Sequence, residues 1–135
     1  MNILVDTSVW SLALRRDNTS DSRHVRRLQA ALEHSEQLFT TGLILQELLQ
    51  GFAGARNRQA ILAQFESLPL IAPDRGDHVD AADLRSAARR RGIQIGTIDA
   101  LLAQLAIRHE LALLTADQDF ARLAKVAPLQ LLSLD

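Results

Sequence analysis

Four acidic residues, Asp6, Glu47, Asp99 and Asp117, are the side chains of this sequence best suited to chemistry. Asp6 closes the apolar run Asn2-Ile-Leu-Val-Asp6, and an ionised carboxylate ending a buried strand is costly to desolvate unless it is paired or binds a cation. Glu47 lies among Ile44, Leu45, Leu48 and Leu49, which leaves it two roles, a buried ion pair with an arginine or a metal ligand. Asp99 falls in the first turn of a helix, where the macrodipole favours an acid without any site. Asp117 could simply cap the helix containing Phe120 and Leu123. Taken together, four carboxylates at one edge would repel one another and raise each other's pKa values unless a cation compensated them. The chain has no cysteine, and His24, His34, His78 and His109 are scattered among polar neighbours, so the donors are oxygens. Such a set suits magnesium or manganese, which bind phosphate oxygens directly. Hydrolysis of a phosphodiester bond by activated water is the chemistry that follows.

Those carboxylates need elements to deliver them to one place. The run Asn2–Val5 reads as a strand, and Thr7-Ser8 could cap a helix with Val9, Trp10, Leu12, Ala13 and Leu14 inward. Trp10 shares a face with apolar neighbours and is assigned to the core. Asp17 to Ser22 is a polar loop, followed by a helix over about 22–35. Gln37 to Thr41 is a short strand, and a mostly apolar helix runs from Leu43 to Gly51. A further amphipathic helix spans Ala55 to Ser67, a proline-flanked edge strand Leu68 to Ala72, and a polar helix Asp77 to Arg91, stopped by Gly92. Thr97 is the expected N-cap of a helix from Ile98 to His109. A strand at Leu111–Thr115, a helix from Asp117 to Val126 and a last strand at Leu129–Leu134 complete the chain. Strands separated by helices imply an α/β fold, a three-layer α/β/α sandwich with a mostly parallel sheet. In such sheets the functional crevice lies beyond the carboxyl ends of the strands, where Asp6 and Asp117 would stand.

A chain of 135 residues has room for one hydrophobic core, so a single domain over 1–135 is expected. Hydrophobic residues at 47% and charged residues at 23% fit a globular protein. No basic leader precedes the first apolar stretch and no apolar run nears the ~20 residues of a membrane span, so a cytoplasmic protein without membrane contact is expected. A formal net charge of −1 argues against coating nucleic acid by charge alone. Yet nearly all the positive charge is arginine, whose planar fork suits phosphate. The run Arg89-Arg90-Arg91 could contact RNA phosphates, or could serve only as a cationic helix C-terminus.

Four segments, Val5-Asp-Thr-Ser-Val-Trp10, the Glu47 helix, Thr97-Ile-Asp-Ala-Leu-Leu102 and Leu114-Thr-Ala-Asp-Gln-Asp-Phe120, stand in an order and spacing that resembles the PIN-domain ribonucleases, above all the VapC toxins of toxin–antitoxin pairs. The resemblance covers essentially the whole chain. It implies a five-stranded parallel sheet, a magnesium or manganese site at Asp6, Glu47, Asp99 and Asp117, and cleavage of RNA leaving a 5′-phosphate and a 3′-hydroxyl. Asp119 matches a further acidic position, which leaves open whether Asp117, Asp119 or both face the metal. Thr7, Ser8 and Thr115 lie beside these acids and could hold them by hydrogen bonds, with helix capping the alternative for Thr7 and Ser8. An antitoxin partner and a homodimer are further implications of the resemblance.

Other phosphate-handling α/β families fit less well. The haloacid-dehalogenase pattern needs a second aspartate where this chain has Ser8, and a receiver domain needs a lysine late in the sheet, for which Lys125 is badly placed. A metal-dependent adhesion motif meets Trp10 where its second serine should stand. A PIN domain that only binds RNA, or a housekeeping RNA-processing nuclease, is the remaining alternative to a toxin.

Overall fold

The computed structural model describes residues 1–15 and 22–134; of the polar loop expected at Asp17 to Ser22, all but Ser22 lies outside the described residues. Strand β1 (Asn2–Val5) leads directly into helix α1 (Thr7–Leu14). Helix α2 (Arg23–Glu33) starts at Ser22, whose Oγ accepts from the Val25 amide at 3.3 Å. Strand β2 (Gln37–Phe39) is followed by helix α3 (Gly42–Gly51), capped by Thr41, whose Oγ1 accepts from the Ile44 amide at 3.2 Å. Helices α4 (Ala55–Phe65), α5 (Arg75–Arg90) and α6 (Thr97–Arg108) precede strand β3 (Ala112–Leu114) and helix α7 (Gln118–Leu123).

The strands form one parallel sheet in the order β2-β1-β3, with β1 central. Ile3, Leu4 and Val5 are wholly buried, as are Ala112, Leu113 and Leu114. Successive side chains of a strand point to opposite faces, so both faces of this sheet are covered. Helix α6 is buried from Ala100 through Ala106, which makes it a core element with its first turn projecting toward the site. Trp10 packs on Phe65 with ring centroids 5.0 Å apart.

Among the described residues the sheet has three strands and not the expected five. The two missing strands are reduced to single bridges on the outer sides, Thr40 to Leu70 beside β2 and Leu113 to Leu131 beside β3. Each bridge is held by one pair of backbone bonds: Thr40 donates to Pro69 and accepts from Ile71, while Leu113 donates to Gln130 and accepts from Leu132. Pro69 and Pro73 flank the first segment and Pro128 precedes the second, and a proline has no amide to extend a ladder. Helix boundaries also shift. Gly96 and not Thr97 caps α6, so Thr97 is its first residue. Helix α5 begins two residues earlier than expected, because Asp74 and Asp77 form a reciprocal capping box. The stop at Gly92 is the expected one: its φ of 78° is open to glycine at little cost, and the Ile93 amide closes back onto Ala88 O at 2.9 Å.

Candidate metal centre

Asp6 follows the last residue of the central strand, and its amide continues the sheet by donating to Leu114 O at 2.9 Å. The residue is 5% exposed. Two hydroxyls offset the lost hydration: Ser8 Oγ donates to Asp6 Oδ2 at 2.7 Å and Thr115 Oγ1 donates to the same oxygen at 2.8 Å. The hydroxyls are themselves fixed, since Ser8 Oγ accepts from the Ala116 amide at 3.0 Å and Thr115 Oγ1 accepts from the Asp117 amide at 3.0 Å. One small network therefore ties the start of α1 to the turn after β3. Both of these bonds fall on Oδ2 and neither on Oδ1, and the charge of Asp6 acts on Asp99.

Helix α3 brings in Glu47, half-buried, whose Oε1 accepts from Thr7 Oγ1 at 2.8 Å. Asp6 occupies the N-cap position of α1 without a side-chain capping bond, so Thr7, Ser8 and Asp6 all spend their side chains on the carboxylate network. Asp117 does cap α7, its Oδ1 accepting from the Asp119 amide at 2.9 Å. The capping role and a place in the acidic group are thus compatible. One carboxylate oxygen from each of Asp99, Asp117 and Asp119 lies within 4.8 Å of the others. Asp119 is also engaged by Arg122 at 2.6 Å.

Asp99 registers the whole assembly. Burial, then the charges of Asp6, Asp117, Glu47 and Asp119, push its carboxyl up to about 6. Among the described residues, the charges that shift this half-buried acid are all negative. Oxygen donors at this spacing, without sulfur or imidazole, fit a hard divalent cation that retains some of its water.

The Arg89-Arg90-Arg91 run is exposed at the C-terminal end of α5 and, among the described residues, makes no ion pair with these acids. Sequence patterning passed over Arg85, whose Nε donates to Ile95 O at 2.8 Å and so ties α5 to the loop before α6. Its spacing of four from Arg89 was the available signal, one turn along one helix face. The buried Asp77 was likewise read only as a helix start. Its pattern with Asp74 three residues earlier is that of a capping box.

The sequence pattern of the PIN domain matches residues 3–126. This chain belongs to the PIN-domain family. Among PIN proteins it is 33% identical over 132 residues to ribonuclease VapC11 of Mycobacterium tuberculosis, covering 95% of this chain and 96% of that one. Its fold is similar to that of VapBC2 from Rickettsia felis, solved bound to a DNA fragment from their promoter, with a TM-score of 0.76, 20% identity and 98% of both chains covered. It is also similar to VapBC-1 from nontypeable Haemophilus influenzae, with a TM-score of 0.74, 18% identity, and 99% and 98% of the two chains covered. All the acids that gather at this PIN site, from Asp6 to Asp119, lie inside the matched region.

Proposed function

We propose that this chain is a metal-dependent endoribonuclease, a single PIN domain acting as the toxin of a toxin–antitoxin pair. The observation that carries the reading is the convergence of Asp6, Glu47, Asp117 and Asp119 on Asp99, whose carboxyl burial and then these charges push up to about 6. The names of its relatives support RNA as the substrate and an antitoxin as the partner. No helix among the described residues is long and apolar enough to cross a membrane, which is compatible with action in the cytoplasm.

Asp6, Asp99, Asp117 and Asp119 would hold magnesium or manganese, with Glu47 at the margin. When bound, such an ion activates water and steadies the charge on the phosphoryl oxygens. The protein's own contribution is orientation. Ser8 and Thr115 fix the rotamer of Asp6, because both donate to its Oδ2. Thr7 aims Glu47 by occupying one of its oxygens. Asp99 is the member whose protonation gates the site, since only its ionised form contributes a full charge. A 5′-phosphate and a 3′-hydroxyl are the expected ends, and a homodimer the expected assembly.

The test is cleavage of RNA by purified protein with magnesium or manganese, in chelator, and after metal is restored. Activity should vanish with EDTA and return with either ion. Full activity in chelator would mean that the carboxylates act as acid and base without a metal.

A further inference from the structure

At the start of α6 lies a cavity of about 390 Å³, lined by Arg85, Arg89, Ile93, Gln94, Ile95 and Gly96. We propose that this cavity is a subsite for a backbone phosphate of the RNA, next to the phosphate being cut; the proposal rests on the nuclease reading above. Four observations carry it. Arg85 and Arg89 are one turn apart on α5 and both line the cavity. Among the described residues, Arg27, Arg108 and Arg122 stand in ion pairs, whereas neither Arg85 nor Arg89 lies within ion-pair distance of a carboxylate. The Arg85 guanidinium is held in place by its bond to Ile95 O, which uses only Nε and leaves both terminal nitrogens for an anion. Finally, α6 has twelve residues and its N-cap Gly96 offers no side chain to its first amides, which leaves them favourable to an anion.

The position relative to the acidic centre gives the cavity its role. Asp99 follows Gly96 by three residues, about 5 Å along the helix axis. Basic and acidic groups thus meet near the start of one helix, where Gly96 lines the arginine cavity and Asp99, three residues on, belongs to the acidic group. Phosphates are repelled by the carboxylates when no ion is bound, so the arginines provide a grip on RNA that does not depend on the metal. Arg90 and Arg91 do not line the cavity, which separates Arg89 from its two neighbours in sequence.

The test measures binding of a short fluorescein-labelled RNA hairpin by anisotropy, in EDTA and over a salt series, with cleavage assayed separately in magnesium or manganese. Arg89→Ala should weaken binding about tenfold and lower the slope of log affinity against log salt by about 0.7. Arg85→Lys keeps the charge and loses the planar fork, so it should weaken binding several-fold with the salt slope unchanged. Arg75→Ala, at the far end of α5 and about 21 Å away along the helix, should leave affinity within about twofold. In cleavage, Arg89→Ala should raise KM more than it lowers kcat. Wild-type binding by both cavity variants, or an equal loss in Arg75→Ala, overturns the subsite. Arg89-dependent binding of inorganic phosphate or of an acidic peptide, with RNA binding untouched, also overturns it, in favour of a free-anion or a protein site. Failure of the nuclease reading looks different: the wild type would bind the hairpin through Arg89 and cut nothing with either ion.

Discussion

Asp99 couples this protein to pH near neutrality. Its folded pKa of about 6 stands above the ordinary 3.8, so the folded state holds that proton more tightly than the unfolded chain does. Without metal, stability should therefore fall as pH rises from about 4 to about 6 and stay reduced above that. Asp99→Asn should remove this slope and stabilise the metal-free protein at neutral pH by on the order of 2 kcal/mol, read from urea melts in EDTA. For the same reason manganese affinity should drop below pH 6, where the proton competes with the ion. Asp6→Asn is a different experiment. The amide keeps the shape and can still accept from Ser8 and Thr115, but loses the charge a cation needs. Cleavage should be abolished while the thermal transition is kept or raised, and a variant that cuts RNA at the wild-type rate would sink the assignment. These acids were legible in the sequence because a carboxylate at the end of an apolar strand, or inside an apolar helix, is expensive without a purpose. Their hydroxyl partners Thr7, Ser8 and Thr115 were also expected to support the acids, but helix capping stood as an equal alternative for Thr7 and Ser8 because both roles use the same residue types.

At the scale of elements, α5 and α6 are joined at their far ends by Asp77 and Arg108, with Nε to Oδ1 at 2.6 Å and Nη2 to Oδ2 at 2.8 Å. Burial works against the Asp77 charge, but the Arg108 hydrogen bonds, the Asp74 amide and the Arg108 charge outweigh it and hold the carboxyl below its ordinary range. Because the folded pKa is depressed, this pair stabilises the protein above the ordinary carboxylate value, and the contribution is lost as pH falls through the folded one. Arg108→Ala leaves a buried carboxylate without its cation and should lower the denaturant midpoint at neutral pH. That deficit should shrink in acid, where Asp77 is protonated in both proteins. The sequence announced this pair poorly, since partners 31 residues apart leave no local pattern. It announced the helices well, because apolar residues recur at their period and turn residues bound them. The outer strands were the failure. Leu68–Ala72 and Leu129–Leu134 have the apolar character of strands, yet whether an edge segment pairs over one residue or five depends on neighbours and prolines that composition does not weigh.

At the scale of the whole molecule, a net charge near zero conceals a sharp local separation of acidic and basic groups around the start of α6. That separation bears on the partner as well as on the RNA. A protein tail carrying arginine could pair bidentately with Asp6, Asp99 or Asp117 and so occupy the place of the cation, while its acidic residues met Arg85 and Arg89. An antitoxin built this way would inhibit by competing with both metal and substrate, and its affinity should weaken when the three aspartates become alanine. In cells the consequence is an asymmetry between the active and the disabled chain. Expression of the wild type alone should arrest growth and degrade RNA, expression of Asp6→Asn should do neither, and co-expression with the product of an adjacent short gene should rescue the wild type. Two measurements read this out, the growth curve after induction and the integrity of total RNA on a gel. Unchanged growth and intact RNA after induction of soluble wild-type protein, with no small protein co-purifying, would defeat the toxin reading and favour a nuclease that processes RNA for the cell. The metal-dependent cleavage in vitro would stand under either outcome, because it depends on the carboxylates and not on who restrains them.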